Sequence, residues 1–153
     1  AEVKRWPIVG WGGNALRTIW VDRSSAESRK ATRVEVKKRI EEGLSVIIFP
    51  EGTTHRGPEL LDYKMGMFKM CAEGNFPICP IAMEFRNQEV AWVSDDLFVP
   101  HAFRVFRRRY VDVALRFGEV QYGDDMEELR ERLHTWTSQA CLEMRANWDA
   151  QTA

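Results

Sequence analysis

The sequence predicts an α/β domain whose sheet contains parallel neighbours, and three observations carry that prediction. Residues 16–21 (Leu-Arg-Thr-Ile-Trp-Val) are rich in β-branched and aromatic side chains, as strands are. Residues 44–49 form a continuous apolar run between Gly43 and Pro50, the pattern of a strand buried on both faces. A helical stretch separates the two. Strand, helix and strand in that order make a βαβ unit, which requires a crossover connection.

The remaining elements follow in order. The first helix begins after Asp22-Arg23-Ser24-Ser25, where either serine serves as the cap, and runs to Glu42 with Gly43 as its stop. Its basic side chains (Arg29, Lys30, Arg33, Lys37, Lys38 and Arg39) are spread around the surface and read as a solvated face. Residues 63–73 read as a short helix closed by Gly74. Residues 76–85 read as a strand kinked by Pro77 and Pro80, and residues 90–93 and 110–117 as further strands, the last alternating. A final helix starts at the Asp124-Asp125 cap. Its apolar positions Met126, Leu129, Leu133, Trp136, Ala140, Met144 and Trp148 step by three or four, a stripe for packing rather than a cofactor box.

Composition sets the outer limits. The chain has 153 residues, of which 44% are hydrophobic and 29% charged, so it supports a real core and is not intrinsically disordered. Its 22 basic and 23 acidic side chains leave a net charge of −1, which excludes a global polycation for nucleic acid. No apolar run approaches the ~18 residues of a membrane span. Cys71, Cys79 and Cys141 show no CxxC spacing, so neither a disulfide framework nor a zinc knuckle is indicated and reduced thiols are expected. With no repeat, low-complexity stretch or linker, residues 1–153 read as one domain. The chain opens on Ala1 and enters at once on Trp6-Pro7-Ile8-Val9-Gly10, which reads as a fragment of a longer protein.

The densest chemical signal is the loop Phe49-Pro50-Glu51-Gly52-Thr53-Thr54-His55, at the carboxyl end of the predicted strand, where open α/β sheets bind ligands. It presents a carboxylate, two hydroxyls and a glycine that lets a ligand approach closely. Read from the residues alone, it is equally a ligand pocket or a turn in which Glu51 caps backbone amides.

Phe49-Pro50-Glu51-Gly52-Thr53 resembles the FPEGT block of the glycerolipid acyltransferases, the family of the 1-acylglycerol-3-phosphate acyltransferases. Other blocks stand in that family's order. Trp6-Pro7-Ile8-Val9-Gly10 resembles its P-x-x-G stretch, and Ile19-Trp20-Val21-Asp22-Arg23 its hydrophobic-Asp-Arg block. Tyr63-Lys64-Met65-Gly66 is similar to its aromatic-Lys-x-Gly segment, and Ile78-Cys79-Pro80-Ile81-Ala82 to its VPIA-like block. The resemblance implies a three-layer acyltransferase fold, with a mixed, partly parallel sheet flanked by helices.

It also implies transfer of a fatty acyl group from acyl-CoA or acyl carrier protein to the hydroxyl of a lysophospholipid such as 1-acylglycerol-3-phosphate. The chemistry implied needs no cofactor and no metal. A histidine held by an aspartate in an HxxxxD motif acts as general base. Carried over, Arg23 is the ligand of the acceptor's phosphate, and Glu51, Gly52, Thr53 and Thr54 form the pocket. Lys64 is a second cation, and Pro80 shapes the pocket or acyl-chain wall. An arginine suits the task, because its planar, permanently charged fork matches phosphate geometry.

Two departures stand out. The family continues its FPEGT block with Arg-Ser, whereas this chain has Thr54-His55 and then Arg56, the nearest replacement cation but one residue displaced. The three histidines, His55, His101 and His134, have Leu60, Phe106 and Gln139 five residues on, so no HxxxxD motif is present. The resemblance places that motif ahead of Ala1, and the chain alone is therefore expected to be inactive. His55 reads as a pocket-rim residue, and His134 as structural or exposed.

One stretch remains. Residues 101–118 hold five arginines against one aspartate, interleaved with aromatic residues. It reads as a contact with an anionic membrane surface, as a contact with the donor's phosphates, or as a charged loop before a strand. The expectation for the whole is a peripheral enzyme on the cytoplasmic side of a membrane, without nucleic acid. Two alternatives stand beside it: an acyltransferase with another acceptor (glycerol 3-phosphate or another lysolipid), and a catalytically silent lipid- or phosphate-binding module. A generic phosphate-binding α/β domain is a weaker third.

Overall fold

The computed structural model describes residues 7–22, 25–57, 59–93 and 96–152. The chain divides into two compact units, residues 1–48 and 49–153. Helix and sheet are mixed in it, as the sequence predicts. The parallel sheet is not found among the described residues.

The first unit holds α1 (Pro7–Ala15) and α2 (Ala26–Glu41). Ser25 is the cap of α2, its Oγ accepting the Ser28 N–H at 3.1 Å. At the other end the Leu44 and Gly43 amides bond the Arg39 and Ile40 carbonyls, with Gly43 at φ +82°. That is the left-handed stop a glycine supplies at no steric cost. Glu27 in the first turn and Lys38 and Arg39 in the last complement the helix dipole.

Residues 16–21 are not a strand. Leu16 and Arg17 instead close α1, Arg17 at φ +53° and the Thr18 N–H on the Gly13 carbonyl at 2.8 Å. Trp20 then folds back onto that helix. Its Nε1 donates to Asn14 Oδ1 at 3.0 Å, and its ring fills the space a Cβ on Gly13 would take. Residues 44–49 run extended but unpaired, and Ile47 and Phe49 stand 76% and 69% exposed. β-branching favours the extended backbone, but a strand also needs a hydrogen-bonding neighbour. With residues 16–21 committed to α1, the predicted βαβ partner is absent.

The second unit is built on α5 (Met126–Thr152). Asp125 caps it, its Oδ1 accepting the Glu127 and Glu128 amides at 2.8 and 2.9 Å. The predicted stripe is its packed face: Leu129, Leu133, Ala140 and Met144 are buried, joined by the smaller Thr137 and Cys141. This face covers α3 (Met65–Gly74) and β1 (Ile81–Phe85). β1 pairs antiparallel with β2 (Val113–Phe117), Ile81 opposite Phe117 and Phe85 opposite Val113. Proline has no N–H to give a ladder, so β1 begins only after Pro80. Ahead of it, a lone bridge joins Ile78 to Gln121. Residues 90–93 are not a strand either. A 3₁₀ turn, Gln88–Val90, precedes them, capped by Asn87 Oδ1 on the Glu89 N–H at 2.9 Å.

Three details correct the sequence reading. Asn75, at φ +47°, is the left-handed residue that ends α3, not Gly74. Gly74 is small for another reason, since the Phe76 ring occupies its Cβ position. The alternation of β2 is real but reversed. Val113, Leu115 and Phe117 face outward, whereas Ala114 packs on the core of α5 and Arg116 pairs with Glu143. The basic stretch is also no simple loop: α4 (Phe98–Phe106) occupies its first half. No helix among the described residues is long and apolar enough to cross a membrane.

Burial separates the thiols. Cys71 and Cys141 are buried, and desolvation pushes both thiols up, while Cys79 is exposed. Thiolate is the reacting form, so brief alkylation with iodoacetamide near neutral pH is expected to label Cys79 first. Peptide mass mapping checks this, and equal labelling of all three would contradict the packing of α3 and α5.

Candidate functional site

The loop 50–57 is shaped from its own backbone. Pro50, with its fixed φ, follows Phe49 into a turn that the Gly52 N–H closes on the Phe49 carbonyl at 3.1 Å. Gly52 stands at φ +74°, a conformation that costs other residues about 1–2 kcal/mol. A Cβ there would meet only Lys64 Cγ, at 3.7 Å, so backbone strain and not space selects the glycine. Gly52→Ala is therefore expected to lower unfolding free energy by about 1 kcal/mol in urea, and Gly52→Asn by less, because Asn tolerates the left-handed region.

Glu51 takes the amide-capping role that the sequence left open and adds a contact to His55. Its Oε2 accepts the Leu61 N–H at 3.1 Å, the amide-capping role, and also lies 3.2 Å from His55 Nδ1. The other imidazole nitrogen of His55, Nε2, rests on the Glu59 carbonyl oxygen. Each imidazole nitrogen therefore already has a protein oxygen beside it. His55 is a tied rim residue, not a free base.

The backbone brings Lys64 to the same place. Its N–H donates to the Pro50 carbonyl at 2.9 Å, and its side chain lies over Gly52. The ammonium is exposed and has no carboxylate partner among the described residues. Lys64 is also the cap residue of α3 and provides no side-chain bond to the helix amides. A cation and an open helix N-terminus thus flank the Glu51-Gly52-Thr53 turn, with the Thr53 hydroxyl exposed beside them. That grouping suits an anionic headgroup.

The next residues turn away. Thr54 Oγ1 donates to the Trp92 carbonyl, and Arg56 Nη2 meets Asp96 Oδ2 at 2.5 Å. Trp92 Nε1 in turn donates to the Asp96 carbonyl at 2.8 Å. Arg56 is therefore already committed to a carboxylate. Pro80 is buried elsewhere, against Gly118 and beside Trp136. Arg23, the predicted phosphate ligand, lies outside the described residues, as does Ser24.

Two histidines that the sequence left without a function are explained by packing. His101 is 5% exposed, its Nε2 on the Val90 carbonyl at 3.1 Å and its Nδ1 on Arg104 Nη2 at 3.0 Å. His134 packs edge-on against Tyr63 with ring centroids 4.8 Å apart, and Tyr63 stacks on Phe68. Burial pushes the Tyr63 phenol up, partly offset by its hydrogen bond with Thr137. Among the described residues, no group of three or more His, Cys, Asp or Glu is arranged to hold a metal ion.

Comparison with known proteins places these blocks in context. A family model described as Acyltransferase matches residues 1–84, which include all five sequence blocks. The lyso-ornithine lipid O-acyltransferase of Pseudomonas aeruginosa is 29% identical over 112 residues, covering 70% of this chain and 43% of that protein. Its counterpart in Rhizobium meliloti is 28% identical over 137 residues, covering 78% of this chain and 47% of that protein. The 1-acyl-sn-glycerol-3-phosphate acyltransferase of Borreliella burgdorferi is 38% identical over 83 residues, 54% of this chain and 33% of that protein. The chain spans about half the length of the lyso-ornithine lipid relatives it matches. No solved structure matches it.

Proposed function

We propose, from the premise that this chain belongs to the acyltransferase family, that it takes part in transfer of a fatty acyl group from a thioester to the hydroxyl of a lysolipid. The observation that carries the reading is the Glu51-Gly52-Thr53 turn, fixed by Pro50 and Gly52 and flanked by the uncommitted Lys64 ammonium. In the proposed step the acceptor oxygen attacks the thioester carbonyl. The hydroxyl proton passes to the histidine base that the family resemblance implies, the C–S bond breaks as the ester forms, and that proton ends on the leaving thiolate. Arg23, with Lys64, would hold the acceptor's anionic group, and Glu51 would keep the loop in shape. Donor is acyl-CoA or acyl carrier protein.

Two acceptors compete. The block pattern favours 1-acylglycerol-3-phosphate, whose phosphate suits an arginine fork. The relatives covered over most of this chain favour a lyso-ornithine lipid, because their names specify it. An ornithine headgroup presents an amine and a carboxylate where the other presents a phosphate, so it asks for less positive charge and for a nearby acid. Glycerol 3-phosphate is the third acceptor to test.

The finer fold reading belongs to the same proposal. The outward face of the β1–β2 sheet carries Ile81, Met83, Val113, Leu115 and Phe117, all substantially exposed. A three-layer arrangement with a mixed, partly parallel sheet would supply a layer for that face, which a two-layer unit leaves in water. Lipid substrates put the work at a membrane surface, and we place it on the cytoplasmic side, where acyl-CoA and acyl carrier protein are found.

A second reading, a silent lipid-binding module, is favoured by one observation. His55, the histidine of the candidate loop, already has a protein oxygen beside each ring nitrogen. Thiol release from acyl-CoA by the full-length protein with each of the three acceptors, alongside equilibrium binding of the same lipids, separates the readings. Acceptor-dependent release supports the transferase and ranks the acceptors. Binding without release supports the module. Neither binding nor release would end both.

A further inference from the structure

α4 is apolar around most of its circumference and yet half of it faces water. Val99, Phe103 and Phe106, spaced to share one face, are 61%, 67% and 84% exposed, with Leu97 ahead of them at 79%. The opposite face is packed. His101 is buried on the Val90 carbonyl, and Phe98 meets Trp92 edge-to-face at 5.4 Å between centroids. A helix apolar on all sides is normally covered, and an exposed patch of this kind marks an interaction surface.

Charge identifies what covers it. No acidic residue occurs between residues 97 and 110. Arg108 is paired with Glu89 at 2.8 Å, and Arg104 is bonded to His101. Arg107 and Arg109, however, have no carboxylate partner among the described residues, and Tyr110 beside them is 74% exposed. Aromatic and aliphatic side chains with cations at the rim and no acid suit an anionic lipid surface. A second copy of this chain fits poorly. A two-fold contact through the face would bring Arg107 and Arg109 into an interface whose patch, residues 97–110, offers no acid to pair them.

We propose that the Val99–Phe103–Phe106 face of α4 docks on an anionic lipid bilayer, with these side chains entering the headgroup–acyl boundary and Arg107 and Arg109 meeting headgroup charge. The docked helix is tied to the candidate site. Arg56 to Asp96, Thr54 to the Trp92 carbonyl, and Trp92 Nε1 to the Asp96 carbonyl join the loop beyond Gly52 to the segment that leads into α4. Docking therefore anchors at the surface the segment to which the loop beyond Gly52 is bonded. The inference deepens the proposed function in naming its surface, but binding to vesicles needs no turnover and is measured separately.

The test is cosedimentation of the full chain with phosphatidylcholine vesicles, with and without a minor fraction of phosphatidylglycerol. The chain is expected to bind the anionic vesicles and to be released by high salt. The double variant Phe103→Ser/Phe106→Ser is expected to lower the partition coefficient by about a hundredfold or more. Arg107→Glu/Arg109→Glu, at fully solvated positions that do not threaten folding, is expected to lower it by at least about tenfold on anionic vesicles alone. Circular dichroism melts confirm that both variants are folded. Thiol release by the full-length protein with a short-chain, water-dissolved donor and acceptor is expected to be unchanged by either pair of substitutions.

The proposal is overturned if the wild-type chain ignores anionic vesicles or if the arginine variant binds as well as wild type. Self-association that the phenylalanine variant abolishes would also overturn it, assigning the face to a second copy. Loss of vesicle binding with thiol release intact, or the reverse, tells failure of the docking surface from failure of the proposed reaction.

Discussion

Glu84→Ala is expected to destabilise the second unit by about 3–5 kcal/mol, the cost of breaking a buried ion pair from one side. Glu84 is 6% exposed and lies on the packed face of β1. Its two oxygens receive Arg145 Nη2 at 2.9 Å and Nε at 3.3 Å, and Oε1 also takes the Gln88 amide at 2.5 Å. The alanine removes one carboxylate partner of a guanidinium only 24% exposed in its side chain, and it takes away one of the acceptors of the Gln88 amide. Hydrogen exchange is the direct measurement, because the loss should concentrate in the β1 amides and in the last turns of α5. Replacing the pair together, Glu84→Leu with Arg145→Leu, should recover most of the loss, since apolar isosteres of buried pairs are often neutral. A single-variant loss below about 1 kcal/mol would show that the pair is solvated and not structural.

The same pair shows why part of this fold was hidden in the sequence. Helices α2 and α5 were legible because their signals are local: Ser25 and Asp125 as caps, Gly43 as a left-handed stop, and a stripe at three- and four-residue steps. Strands were not. Periodicity reports an extended preference and says nothing of the partner, and residues 16–21 and 44–49 have no paired neighbour among the described residues. The inward face of the sheet was invisible for a related reason. Glu84 and Arg116 point toward α5 because Arg145 and Glu143 wait there, 61 and 27 residues along the chain. No local pattern predicts that charged residues will hold a strand while Leu115 and Phe117 face water.

The candidate site divides in the same way. The Glu51-Gly52-Thr53 turn was readable from residue types, and so was the amide cap made by Glu51; its contact to His55 was not. The destination of Arg56 was not readable. One residue of displacement carries its guanidinium to Asp96, forty residues on, and removes it from the anion site it was expected to complete. The surroundings of Pro80 were not readable either, since Gly118 and Trp136 beside it are both distant in sequence.

The largest functional effect is expected from Arg23→Ala in the full-length enzyme, measured as thiol release against acceptor concentration. The expectation rests on the Asp22-Arg23 block, and it concerns the headgroup, not the acyl chain. Each charge-assisted bond contributes about 1.5–3 kcal/mol, so losing the fork should lower kcat/KM for 1-acylglycerol-3-phosphate by about ten- to a hundredfold or more. KM should carry much of that change, because the phosphate is bound in ground state and transition state alike. Arg23→Lys should recover only part, as a point charge cannot make the bidentate contact. Lys64→Ala, removing the exposed ammonium beside Gly52, should cost less, about severalfold, since a solvated cation contributes little. The comparison between acceptors is the sharper reading. A lyso-ornithine lipid brings a single carboxylate and an amine, so its kcat/KM should fall less than that of the phosphate acceptor in Arg23→Ala. Hydrolysis of the thioester by water, which uses no headgroup, should change least of all. Equal losses for all three would place Arg23 in the fold and not in the headgroup site, and no loss with either lysolipid would remove it from the reaction altogether.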